Sequence, residues 1–238
     1  LILPLTAMGA MILIGVSGTT FGIAILLMLA APSVTATPNI TILLGHDPEP
    51  AFRLFVVGTA ILPLTVVPIF WFSPDLGNLL GAISTAVRLL AAIWCAVIAA
   101  FILRRSTSPV LTVKQTKSVD GFTSLVLAVV VIGLMSAVAP ALSANPYFVL
   151  CWVGVAVVAN IGSQIVACVL LLKLGWRAEA VPFSVVAGNR NFALFLIALP
   201  AITTDPLLIF LGCYQLPMYL TALIMRPVYN SVFMNKFR

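Results

Sequence analysis

The sequence predicts an all-α, polytopic membrane protein with about eight transmembrane segments, two of them broken by polar or proline-rich residues. Three observations carry this expectation. The chain of 238 residues is 62% hydrophobic and 8% charged, with a mean hydropathy of +1.21. So few polar residues cannot cover a water-exposed exterior, so lipid must be the solvent for most of it. Apolar runs also recur at the ~20 residues a helix needs to cross a ~30 Å hydrocarbon core.

The segments run 1–16, 20–45, 49–72, 78–103, 121–139, 146–172, 179–201 and 206–228. Backbone groups in lipid must be satisfied within the protein, which favours helices over open strands. A membrane barrel would instead show ~10-residue segments of alternating polarity. Segment 1–16 opens at Leu1 inside an apolar run, without Met or a charged signal-peptide flank, as expected of a fragment lacking about two upstream helices. Segments 20–45 and 179–201 contain the interruptions, 78–103 contains Arg88, and 146–172 contains Asn160, Ser163 and Gln164.

Charge in the links predicts orientation. Arg53, Arg104, Arg105, Lys114, Lys117, Lys173, Arg177, Arg226, Lys236 and Arg238 all fall in links 46–53, 104–120 and 173–178 or in the C-terminal region. The alternate links, 17–19, 73–77, 140–145 and 202–205, hold no Lys or Arg. The positive-inside rule then places both chain ends in the cytoplasm of a multi-pass protein of the cell (inner) membrane. This accounts for the net charge of +6 without nucleic acid, since the basic residues stand singly and are not interleaved with aromatics. Cys95, Cys151, Cys168 and Cys213 lie in apolar runs without metal-site or disulfide spacing and read as buried small hydrophobes. His46, the one histidine, reads as solvated in a short link.

Arg88 and Arg190 are the two basic residues deep inside segments, away from the ends where Arg53 and Arg226 lie. All six acids, Asp47, Glu49, Asp75, Asp120, Glu179 and Asp205, fall in links or at segment ends. Ionisable residues at membrane depth are expensive and mark functional sites. With no carboxylate at depth and helix carbonyls largely occupied, an anionic ligand is the expected counter-charge. In Pro32-Ser33-Val34-Thr35-Ala36-Thr37-Pro38-Asn39, two prolines disfavour helix, predicting extended residues 33–37 and a new half-helix near Asn39. Thr35 and Thr37 offer hydroxyls there, the alternative being a simple proline kink.

In Gly188-Asn189-Arg190-Asn191, glycine permits a bend or a positive φ, and an unwound point would aim a helix terminus inward. Arg190 is eleven residues from Glu179, ~16 Å along a helix, too deep for easy snorkelling. Arg88 reads equally as an anion contact or as a bond to loosened carbonyls. Asn160, Ser163 and Gln164 share a polar stripe that suits either interhelical hydrogen bonds or an ion or substrate. His-Glu-x-x-His, a Ser/His/Asp set and a phosphate loop are all missing, so neither enzyme chemistry nor a metal site is expected.

Paired interruptions in corresponding halves point to a transporter's binding site. Ala31 to Asn39, continuing to Gly45-His46-Asp47, resembles the first crossover of the bile acid:sodium symporter family. Gly188-Asn189-Arg190-Asn191-Phe192-Ala193-Leu194 resembles its second, and Gly58-Thr59 with Pro63 resembles the polar stretch that follows the first. The resemblance implies about ten helices as a 5+5 inverted repeat with two broken crossover helices. The whole chain, 1–238, would be one carrier unit with a core part, 1–75 and 145–238, and a panel part, 76–140. It further implies a substrate site of Thr35, Thr37, Asn39, Gly188, Asn189, Arg190 and Asn191, with Arg88 facing the same cavity. Thr59, Asn160, Ser163 and Gln164 become ion contacts.

One departure changes the expected chemistry. Sodium-coupled relatives carry glutamate and glutamine at the places held here by Val186 and Arg190. Val186 cannot ligate sodium, and the Arg190 guanidinium could occupy the vacated cation position, which puts Na+ coupling in question. The expected function is secondary transport of a small organic anion by alternating access, with no cofactor and with the lipid bilayer as partner. Two alternatives are a non-transporting membrane sensor or scaffold, in which Arg190 holds the crossover shut, and an arsenite-type efflux carrier. The latter group relies on a membrane cysteine near its first crossover, and Cys95 is far along the chain.

Overall fold

The computed structural model describes residues 1–73, 79–106 and 112–234. Asp75, Lys236 and Arg238, which entered the charge argument, lie outside these residues. The described chain is mostly helical, and several helix starts have a local cause. Helix α1, Ile2–Ile14, leads to α2, Thr20–Ala30, whose first turn is capped by the Thr19 hydroxyl accepting from Gly22 N. Helix α3, Thr37–Leu43, starts two residues before Asn39, because proline suits the first turn of a helix and Pro38 sits there. Helix α4, Glu49–Phe72, also has a proline in its first turn.

Helix α5, Leu79–Ser106, is followed by α6, Val113–Leu134, which a Thr112/Gln115 capping box begins well before the apolar run at 121. Lys114 and Lys117 therefore extend the helix beyond its apolar stretch. Helix α7, Val138–Ala144, precedes α8, Pro146–Lys173, capped by the Asn145 side chain accepting from Phe148 N. Then come α9, Arg177–Gly188, a 3-10 turn Phe192–Leu194, α10, Phe195–Ala198, and α11, Ala201–Thr204. A second 3-10 turn leads into α12, Leu208–Met234. Gly45 and Gly175, with φ of 82° and 84°, end α3 and α8 in the left-handed conformation that glycine adopts without steric penalty.

The expected eight transmembrane segments are corrected to five. Among the described residues the helices long and apolar enough to cross are Glu49–Phe72, Leu79–Ser106, Lys114–Ala144, Pro146–Lys173 and Ala201–Ser231. Counting apolar runs failed where a run is not one helix. Segment 20–45 divides into α2 and α3, and 179–201 into α9 and shorter pieces. Segment 1–16 yields a helix of 13 residues, about 20 Å long, short of a ~30 Å core. The 5+5 inverted-repeat plan loses its support with that count. What stands is an all-α, multi-pass membrane protein whose apolar helices meet the bilayer.

Helix α8 packs along α9 and α12, α4 packs on α5 and α9, and α6 touches α12. This places the ends of α2 and α9 at the centre of the bundle. Beyond the second break, Phe192 enters an aromatic cluster, with ring centroids 5.4 Å from Phe210 and 5.2 Å from Tyr214. That cluster anchors the chain where it resumes helix.

Candidate functional site

The two interruptions meet. Residues 32–34 and 189–191 run antiparallel as a single bridge between Ser33 and Arg190. Val34 N donates to Asn189 O at 2.9 Å, and Asn191 N donates to Pro32 O at 2.8 Å. Each broken helix thus satisfies backbone groups that the other leaves open, as unwound backbone in a membrane requires. In the first break, Ser33 and Thr37 are buried, their hydroxyls 2.5 Å apart, and Thr37 Oγ1 donates to Val34 O at 2.8 Å.

Arg190 sits between the carboxyl ends of α2 and α9. Its Nε donates to Ala187 O at 2.9 Å and its Nη1 to Ala31 O at 3.1 Å. Helix C-termini carry partial negative charge, so a cation is favoured there. This corrects the premise that helix carbonyls are too occupied to receive the arginine, from which an anionic ligand is the expected counter-charge. A helix break frees the carbonyls of its last turn, and those carbonyls take the guanidinium. A guanidinium has five N–H donors, and these bonds use two of them.

Asn189 and the stripe on α8 are tied into a buried network. Asn160 Nδ2 donates to Gly188 O at 2.6 Å and approaches Asn189 Oδ1 at 3.3 Å. Gln164 Nε2 donates to Asn160 Oδ1 at 2.7 Å and lies 3.3 Å from Thr221 Oγ1, which is 3.0 Å from Asn189 Oδ1. Tyr229 donates to Gln164 Oε1 at 3.0 Å, Tyr214 donates to Gly188 O, and Asn189 Nδ2 donates to Val185 O at 2.8 Å. For Asn160 and Gln164, interhelical hydrogen bonding accounts for the side chains without an ion. Gly188 does not use a positive φ, contrary to one expectation. Its role is space, because a Cβ there would overlap Asn160 O and the Gln164 side chain.

A cavity of ≈ 170 Å³ opens beside this crossing. Thr35, Arg190 and Asn191 line it from the breaks, Gln215, Met218 and Tyr219 from α12, and Leu127, Val130 and Leu134 from α6. Of the residues proposed for a substrate site, the structure therefore gathers Thr35, Arg190 and Asn191 around one space. Gly188, Asn189 and Thr37 belong to the framework behind them.

The others lie elsewhere. Asn39 is exposed on α3. Arg88 is exposed on α5 and reaches Ala198 O at 3.4 Å, a backbone contact near the end of α10 outside the cavity. Ser163 donates to Ala159 O on its own helix and borders an apolar groove with α1 and α2, because a position three residues on from Asn160 turns away from Gln164's side. Thr59 on α4 has a buried hydroxyl without a hydrogen-bond partner among the described residues, next to Gly58, whose added Cβ would lie 3.7 Å from that of Pro32.

Cys168 and Cys213 are buried as expected, but Cys95 and Cys151 are exposed, since much of a lipid-facing helix surface is apolar by necessity. His46 is half-buried rather than solvated, and burial holds its pKa below the usual histidine value. Residues overlooked in the sequence include Ser33, Tyr214, Gln215, Thr221 and Tyr229. Tyr214, Thr221 and Tyr229 are seven and eight positions apart, a helical one-face spacing that was available as a signal. No protein-family model and no curated protein matches this chain.

Proposed function

We propose that this chain is a secondary carrier of a small organic anion that resembles the bile acid:sodium symporter family. The observation that carries the reading is an arginine where two helix breaks in apolar segments meet, bordering a small cavity. The guanidinium brings a fixed positive charge to a low-dielectric site, where attraction to an anion is stronger than in water. Asn191, Thr35 and Gln215 add neutral hydrogen-bonding groups around it. Alternating access fits a cavity with one wall on α6 and the other on the crossing and α12, since relative movement of these walls would open it.

Sodium independence belongs to the same proposal. Val186 is aliphatic and buried where sodium-coupled relatives have glutamate, and Arg190 already brings a cation to the helix ends. The basic residues of links 46–53, 104–120 and 173–178 support a proposed orientation with those links and the end before Glu49 cytoplasmic; five crossings, an odd number, do not return the end after α12 to the same side. Uptake of labelled organic anions into proteoliposomes, with sodium and pH gradients varied separately, tests both points. Saturable uptake that persists without sodium is expected. Uptake that collapses without sodium overturns the substitution of arginine for the ion, and no saturable uptake of any anion overturns the carrier.

One observation favours a second reading, the non-transporting sensor or scaffold. The bonds from Arg190 to Ala187 O and Ala31 O stitch the two breaks together, as a permanently closed crossover would need. Ligand-dependent stabilisation without flux in the same vesicles is its expected signature.

A further inference from the structure

We infer that the cavity at the crossing selects short aliphatic monocarboxylates, with the carboxylate on Arg190 and the hydrocarbon body against α6. The inference rests on the anion-carrier reading and adds the charge, size and polarity of the ligand. Arg190 is the only charged side chain among the cavity's described lining residues. One guanidinium can neutralise one carboxylate, in the bidentate geometry that suits both groups. A second carboxylate on the same ligand would be left in a low-dielectric site without a partner, so a dianion should be rejected.

Size follows from volume. The cavity holds ≈ 170 Å³, and a 150 Å³ apolar protein cavity accommodates benzene. A ligand of about six to eight non-hydrogen atoms fits that scale, which corresponds to carboxylic acids from butyrate to hexanoate. A fused-ring steroid skeleton does not fit. Polarity divides by element: the crossing presents Arg190 and Asn191 with Gln215 nearby, whereas the α6 wall of Leu127, Val130 and Leu134 is wholly aliphatic. An aliphatic body gains from burial against that wall, and a hydroxyl or charge directed there would find no partner on it.

Isothermal titration of the full chain in nanodiscs with acetate, butyrate, isovalerate, hexanoate, decanoate and succinate tests the inference. Saturable binding is expected for butyrate, isovalerate and hexanoate, with acetate, decanoate and succinate each weaker by about tenfold or more. Val130→Trp should abolish binding at unchanged thermal stability, because Val130 is half-exposed and the larger ring fills the cavity without crowding the core. Arg190→Gln should remove the preference for butyrate over its uncharged amide. Succinate binding as tightly as butyrate, unchanged binding by Val130→Trp, or no binding by any of the series overturns the inference. Binding in this pattern without flux overturns the carrier reading alone, and flux of other anions without the pattern overturns this inference alone.

Discussion

Gly188→Ala probes the contact on which the crossing depends. Gly188 ends α9 against α8, and an added Cβ would overlap two things: the backbone carbonyl of Asn160 and the Gln164 side chain. Overpacking typically costs about 1–3 kcal/mol, and a backbone atom gives way less readily than a side-chain tip. Displacing Gln164 also disturbs its bonds with Thr221 and Tyr229 on α12, each worth about 0.6 kcal/mol on average between membrane helices, and its bond to Asn160 within α8, worth roughly 0.5–1.5 kcal/mol. The total is about 3–5 kcal/mol. At roughly 2–4 °C per kcal/mol for a chain of this size, the midpoint of unfolding should fall by on the order of 10 °C. Circular dichroism of the detergent-solubilised protein measures it. Gly162→Ala on α8, where a Cβ meets nothing within 4 Å, should leave the midpoint unchanged or slightly raised. Gln164→Ala in the Gly188→Ala background should recover part of the loss, since one overlap goes and the carbonyl overlap stays. A Gly188→Ala midpoint equal to that of the parent protein would refute the close approach of α8 and α9.

Other outcomes follow from the same geometry. Arg190→Met removes two charge-assisted bonds worth about 1.5–3 kcal/mol each but also relieves the burial of a charge; we expect a smaller net loss and faster maleimide labelling of a cysteine at position 33, which is 2% exposed, in a background lacking the exposed thiols. A double-mutant cycle between Asn160→Ala and Asn189→Ala should show coupling of about 0.6–1.7 kcal/mol, and additivity would refute the network. Arg88→Ala should change stability by less than about 0.5 kcal/mol and leave anion binding intact, because its backbone contact is long and exposed. Burial lowers the His46 pKa, so as pH falls through about 6.5 the unfolded chain takes the proton first and stability declines; above that range the term vanishes. Comparing midpoints at pH 5.5 and 7.5 for the parent protein and His46→Gln checks this, the variant being expected to lose that part of the pH dependence.

Membrane residence, helical class and the positions of both breaks were legible in the residues. Each rests on a local property: apolar content per length of helix, the missing amide of proline, and the cost of an arginine at depth. Pro32, Pro38 and Arg190 marked the breaks within two or three positions of where they fall. Helix count was not legible in the same way. A run of apolar residues reports burial in lipid or protein alike, and it does not reveal whether its helix is continuous.

The site divides along the same line. Arg190, Asn191 and Thr35 stood out as polar groups in apolar surroundings, and they do border one cavity. Their partners did not stand out, because Ala31 and Ala187 contribute carbonyl oxygens, which every residue possesses. Side-chain direction separated Asn160 and Gln164, which face the crossing, from Ser163, which does not. Sequence alone determined that a charge would sit at a break in an apolar segment. Tertiary structure decided what balances it, by bringing the carbonyl ends of two helices some 160 positions apart in the chain to a single guanidinium.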